Sequence, residues 1–150
     1  MKIASLALSI LTVLGLVQAQ VMFTNCATVS TQLDVETFGV APYPLCVNKN
    51  MCLTSTGTLT TPVIAGSTLI ISGKYLGRQV YTDAHDFCTL LNAQGSPCPI
   101  PVTVHALTAC VLVKPECPVN IGMAMTFDAT NGDNGKIYCQ RGTLTATSCP

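Results

Sequence analysis

The densest cluster of side chains able to do chemistry is Asp83-Ala84-His85-Asp86. An imidazole between carboxylates has the makings of a metal site, or of a base that polarises a nucleophile, and Ser96 follows beyond Cys88. An activated serine needs a glycine-framed elbow, and none is present, so the cluster reads as a solvated polar turn. Asp34 and Glu36 are a second pair of acids, but carboxylates two apart on a strand share its outer face, leaving Leu33 and Val35 inside. Asn131-Gly132-Asp133-Asn134-Gly135 has oxygen ligands without the regular acidic spacing of a calcium loop; its two Asn-Gly steps are hairpin signals instead. His105, inside a strand-like run, reads as a packed or surface residue. The sequence therefore predicts no enzyme, no metal and no cofactor.

The elements that hold these residues follow from the cysteines, the turns and the apolar pattern. Residues 1–19 carry Lys2, an apolar run from Ile3 to Val17, and small residues at Val17 and Ala19, as expected of a secretory signal peptide. The run is short for a bilayer span and no basic residue stops it. Residues 20–150 then suit one domain, and all nine cysteines lie there, which in a secreted chain reads as a disulfide framework. Beyond residue 19 there are six basic and seven acidic side chains, with no clustered basic surface of the kind nucleic acid requires. Only 9% of residues are charged while 49% are hydrophobic, an apolar composition for a secreted protein.

Cys88 and Cys98 bracket a short polar stretch, and Pro97-Cys98-Pro99-Ile100-Pro101 cannot be helix, so a stapled corner between two extended segments is expected there. Cys46 and Cys52 enclose another short loop that suits a local staple; a zinc site would need a histidine or cysteine pair that neither flank supplies. Leu53 to Ile64, interrupted by Gly57 and Pro62, reads as an edge strand, and Thr68 to Tyr81 as one longer strand with both faces covered at Leu69-Ile70-Ile71. Val102 to Val113 is strand-like, after which Cys110 and Cys117 can bridge a tight connection. Val119, Ile121, Met123, Met125 and Phe127 form a continuous apolar stripe, and Lys136 to Thr147 returns as the last strand. The total is about seven strands without a helix, with turn signals at the spacing of an all-β sandwich.

Phe23-Thr24-Asn25-Cys26, the Cys46 to Cys52 loop, Asp86-Phe87-Cys88 leading to Pro97-Cys98-Pro99-Ile100, and Lys136-Ile137-Tyr138-Cys139 resemble the ML (lipid-recognition) domain family over roughly Phe23 to Thr147. The family includes the Niemann-Pick type C2 sterol carriers and the fungal phosphatidylglycerol/phosphatidylinositol transfer proteins. The resemblance implies an immunoglobulin-like β-sandwich of two sheets splayed apart to leave a lipid cavity between them, and disulfides Cys26–Cys139, Cys46–Cys52 and Cys88–Cys98. It departs from the pattern in a longer Cys88 to Cys98 loop, a shortened Cys52 to Cys88 connection, and the extra cysteines 110, 117 and 149. Pairing Cys110 with Cys117 leaves Cys149 free or bonded to another molecule.

Lifting a lipid tail out of a membrane costs about 0.8 kcal/mol per methylene, which a soluble carrier offsets by surrounding the tail with apolar side chains. The expected lining is Leu69, Ile71, Leu76, Val80, Val104, Leu112, Val113, Ile121, Met123, Met125 and Phe127, with Arg78 or Lys114 meeting an anionic head group. Flexible methionine suits tails of different shape. The expectation is a monomeric carrier of sterol or phospholipid that touches membranes transiently, secreted or in the lumen of the secretory or vacuolar pathway. The competing class is a cysteine-rich structural or effector protein with a closed core and a protein-binding surface.

Overall fold

The structure is a computed structural model that describes residues 21–150; the expected signal peptide, residues 1–19, lies outside the described residues. Nine strands and one helix follow in the order β1 (Thr24–Asn25), β2 (Leu33–Ala41), β3 (Leu45–Val47), β4 (Asn50–Leu59), β5 (Thr68–Tyr75), β6 (Arg78–Asp86), α1 (Phe87–Ala93), β7 (Ala106–Leu112), β8 (Gly122–Thr130) and β9 (Lys136–Ser148). They make two sheets, β1-β9-β8-β5-β6 with β3 added in parallel to β9, and β2-β4-β7. The sandwich class is as the turn spacing predicts, and the core is the alternating inward set of both sheets: Leu69 and Ile71 on β5, Met123, Met125, Phe127 and Ala129 on β8, Met51 and Leu53 on β4, Ala109 and Val111 on β7.

Several expectations need correction. The run Thr68 to Tyr81 is not one strand: Leu76 and Gly77, at φ 49° and 77°, turn the chain so that Tyr75 faces Arg78 across a hairpin. Two positive φ values are the geometry of a type I′ loop, which normally recruits Asn or Gly, so a leucine there hides the turn from pattern reading. Ile70, expected to be covered, is 47% exposed on the outer face. β4, expected at an edge, is the central strand of its sheet, and β7 is shorter than Val102 to Val113. The stretch after Asp86 is a helix, not an irregular loop, because the Asp86 carboxylate accepts the Thr89 amide at 2.8 Å and caps it while Phe87 and Leu91 enter the core.

The disulfides also differ from expectation. Cys26–Cys139 and Cys88–Cys98 form, but Cys46 pairs with Cys149 and Cys52 with Cys110, and Cys117 is left as a buried free thiol. The expected Cys46–Cys52 and Cys110–Cys117 staples fail for one reason. Proximity in sequence suggested them, yet β3 joins β9 in one sheet while β4 belongs to the other, where Cys52 lies directly opposite Cys110 of β7. Cys149 is consequently bonded within the chain.

Candidate functional site

The sheets part along one seam. β6 ends one sheet and β7 ends the other, and Lys114, just past β7, reaches across. Its ammonium donates to Asp83 Oδ1 at 2.6 Å, its backbone N–H approaches the Tyr81 hydroxyl at 3.4 Å, and His85 Nε2 lies 2.6 Å from Asp83 Oδ2. Period-two alternation along β6 puts Tyr81, Asp83 and His85 on the same side, the first two buried. Burial alone would raise the Asp83 carboxyl, but the hydrogen bonds from Lys114 and His85 prevail and hold it below the usual carboxylate range. The same bond raises the Lys114 ammonium. Burial raises the Tyr81 hydroxyl and the Cys117 thiol, so both stay protonated at neutral pH. A buried carboxylate shared by two donors is a clasp between sheet edges rather than a catalytic base.

Beside the clasp a cleft of about 360 Å³ opens to solvent, lined by Gln79, Val80, Tyr81, Thr82, Lys114 and Glu116. Behind it, on the next strand inward, is Gly73. A Cβ there would fall 2.7 Å from the Met125 sulfur, 3.5 Å from that of Met123 and 3.3 Å from Tyr81 Cβ, so two thioethers lie in the space that a bare backbone leaves. Met123 and Met125 are fully buried, with Ile71 on the same face of the sheet and Met51, Leu53, Val111 and Val113 facing them from the other sheet. Apart from Tyr81 at the seam, this half of the interior is aliphatic and thioether.

The other half is closed by rigid groups. Phe127 packs against Phe38 of the opposite sheet with ring centroids 5.6 Å apart, and Phe38 meets Phe23 at 4.9 Å and Tyr138 at 5.6 Å. Phe87 and Leu91 of α1 seal the end, beside the Cys88–Cys98 disulfide. Asn131, almost fully buried, accepts from the Ile64 and Gly132 amides and donates to Gln32 and to the Pro62 carbonyl. The Asn-Gly turn is thus a hairpin, as the sequence predicts, and also a hub that ties three loops.

The expected lining residues are therefore divided. Val113, Ile121, Met123 and Met125 lie in the thioether half, Ile71 sits at its boundary directly opposite Phe127, and Val80 borders the seam cleft. Leu69 and Phe127 face the closed half, and Val104, in the loop before β7, is partly buried against the core. Phe127 was expected to border a gap; its contact with Phe38 brings the layers together at that level. Leu76 and Leu112 do not line the interior: Leu76 is 85% exposed at the hairpin apex, and Leu112 is 48% exposed because Val111 and Val113 take the inward positions beside it. Of the head-group candidates, Lys114 is committed to Asp83, while Arg78 stands exposed beside the apex. Sequence reasoning missed Tyr81 and Asp83 as seam residues, although Gly73 reads from the sequence as bare backbone for packing or close approach of a ligand. The alternation Tyr81-Asp83-His85 would have shown them once a turn at Leu76-Gly77 was recognised.

The fold has counterparts among solved structures. A Niemann-Pick type C2 protein from the Japanese carpenter ant superposes with a TM-score of 0.63 at 13% identity, covering 84% of this chain and 99% of that one. Chicken MD-1, complexed with lipid IVa, gives 0.55 at 11% identity over 83% and 88% of the two chains. The C-terminal domain of wzt gives 0.51 at 11% identity over 89% and 81%. At such identities the likeness establishes the fold. No curated protein matches the sequence significantly. The ML domain family model matches residues 20–146, so the chain belongs to the ML domain family.

Proposed function

We propose that the protein binds the apolar tail of a lipid between its sheets at the thioether end and carries it between membranes, entering and leaving through the seam of β6 and β7. The observation that carries this reading is the placement of Met123 and Met125 over Gly73, directly behind the seam cleft. Thioethers are flexible and apolar, so swinging them aside admits a tail without exposing polar groups. Family membership supports lipid as the guest, and the MD-1 relative is known in complex with a lipid. Accommodating a tail of a dozen methylenes gains on the order of 10 kcal/mol of transfer free energy, enough to offset its removal from a membrane. Nothing in the process requires covalent chemistry.

Sterols and phospholipids are the two guest classes. Four disulfides fit an oxidising compartment, and with residues 1–19 as a signal peptide and residues 20–150 as the lipid-binding domain the protein is secreted or luminal. It acts as a monomer. The test is to purify the domain, extract it with organic solvent and quantify sterol and phospholipid by mass spectrometry, then offer fluorescent sterol and phospholipid to the protein. Stoichiometric lipid in either experiment is expected. A protein that carries none and takes up none would instead be the closed-core effector.

A further inference from the structure

The charged residues of this domain are sorted along the sandwich. At the thioether end, where β5 and β8 place Gly73, Ala124 and Met125, lie Lys49, Lys74, Arg78 and Lys114; the acids there are Glu116 and Asp83, the latter bonded to Lys114. Toward the opposite end lie Asp34, Glu36, Asp86, Asp128 and Asp133, against Lys136, which pairs with Asp128, while Arg141 sits between the two ends at the level of Thr126 and Ser72. Net charge is near zero, so sequence totals conceal this dipole. At the basic end the β5–β6 hairpin projects its apex: Leu76 is the most exposed of the large hydrophobic residues described, Tyr75 beside it is 39% exposed, and Lys74 and Arg78 flank the pair.

Leu76 also sits at φ 49°, a left-handed conformation that disfavours leucine and suits Asn or Gly. The position thus works against local stability twice, by exposing a large apolar side chain and by straining its backbone, and buries nothing in return. Exposure alone would be ordinary in a single leucine, but together with the strained backbone it marks the apex as a candidate contact surface. An aliphatic tip, an adjacent tyrosine and a collar of cations match the layers of an anionic bilayer surface: acyl region, interface and phosphate.

We infer that the Tyr75-Leu76 hairpin apex and the flanking cations Lys74 and Arg78 dock the protein on anionic lipid membranes. This inference rests on the carrier reading only for its purpose, since the docked end is the end at which the seam cleft opens. Gln79 and Val80, two and three residues past Gly77, line that cleft, so a protein held by its apex presents the seam to the bilayer. The strong attraction is electrostatic and the tip adds a single apolar insertion, which makes contact reversible.

Sedimentation with large unilamellar vesicles tests the idea. Wild-type protein should bind vesicles of phosphatidylcholine with phosphatidylserine, bind pure phosphatidylcholine weakly, and lose affinity as salt rises. Leu76→Asn should bind about tenfold more weakly, the loss of one inserted leucine, while its melting temperature holds or rises because Asn accepts the left-handed turn. Lys74→Gln and Arg78→Gln should each cost about fivefold. Ile70→Ser, on the outer face of the same strand, should change nothing. Vesicle binding by Leu76→Asn equal to wild type, or wild-type binding indifferent to phosphatidylserine, overturns the docking surface. Lipid content by mass spectrometry separates the two ideas: an empty protein that still docks through Leu76 refutes the carrier alone, and a loaded protein indifferent to Leu76→Asn refutes the docking alone.

Discussion

The two halves of this sandwich share their strands yet are packed by different means. On β8 the change takes one step of the pleat: Phe127 meets the rings of Phe23 and Phe38, whereas Met125, two residues earlier, rests over the bare backbone of Gly73. The aromatic half carries the capped helix, the Asn131 hub and the Cys88–Cys98 bridge. The thioether half has an edge held by one ion-paired clasp. Rings interlock in few arrangements, while methionines adapt to many, so one half fixes the fold and the other is free to repack. The Cys52–Cys110 disulfide keeps β4 and β7 together beside the clasp, so movement at the seam is confined to the gap between β6 and β7.

The contrast is most sharply broken by Phe127→Ala. Removing a ring that joins the two sheets should destabilise the domain by about 3–5 kcal/mol, read from chemical denaturation, and added lipid should not restore it. If lipid restores it fully, the guest lies in the aromatic half and the division is wrong.

Next in size is the clasp. Asp83→Asn leaves a buried site without its charge and should cost about 1–3 kcal/mol, while speeding uptake of a fluorescent lipid in stopped flow. Its pH dependence has a definite sign. The Asp83 carboxyl is depressed, so its contribution is complete above the ordinary carboxylate pKa and is lost as pH falls through the lower folded value. The Lys114 ammonium is raised, so its contribution is complete below the ordinary lysine pKa and is lost as pH rises through the higher folded value. Wild-type stability should therefore exceed that of Asp83→Asn from about pH 4 to about pH 10, and the two should converge beyond both limits. A constant difference across the acid limb would show that the clasp does not titrate as described.

The smallest effect on stability, and the most informative on function, is Met123→Leu with Met125→Leu. Volume is nearly conserved, so stability should change by less than about 1.5 kcal/mol, but stiffer side chains should narrow the range of tails accepted in a competition series. An unchanged range would move the guest away from these residues.

Much of this was legible in the chain because it is written locally. Alternation in Val119 to Phe127 predicts the inward stripe of β8, Asn131-Gly132 predicts the last hairpin, and Cys26, Cys88, Cys98 and Cys139 pair as the family resemblance implies. Leu76 defeated the pattern because apolar residues signal strand interiors, and nothing in its type announces a left-handed turn. Missing that turn carried Leu76 into the expected lining and concealed the seam. The helix at Phe87–Ala93 was lost for a similar reason: the prolines that follow it forbid helix only from Pro97 onward, and the cap at Asp86 was assigned to a polar turn.

By itself the sequence determined the class of fold, the faces of the long strands and the apolar character of the interior, since these follow from side-chain period and composition along one stretch at a time. The tertiary structure decided which cysteines meet, that Lys114 reaches Asp83 across the seam, and that most basic and most acidic residues gather toward opposite ends. Each of these joins elements far apart in the chain, and the distance between such elements is set by how two sheets stack, which no local pattern encodes.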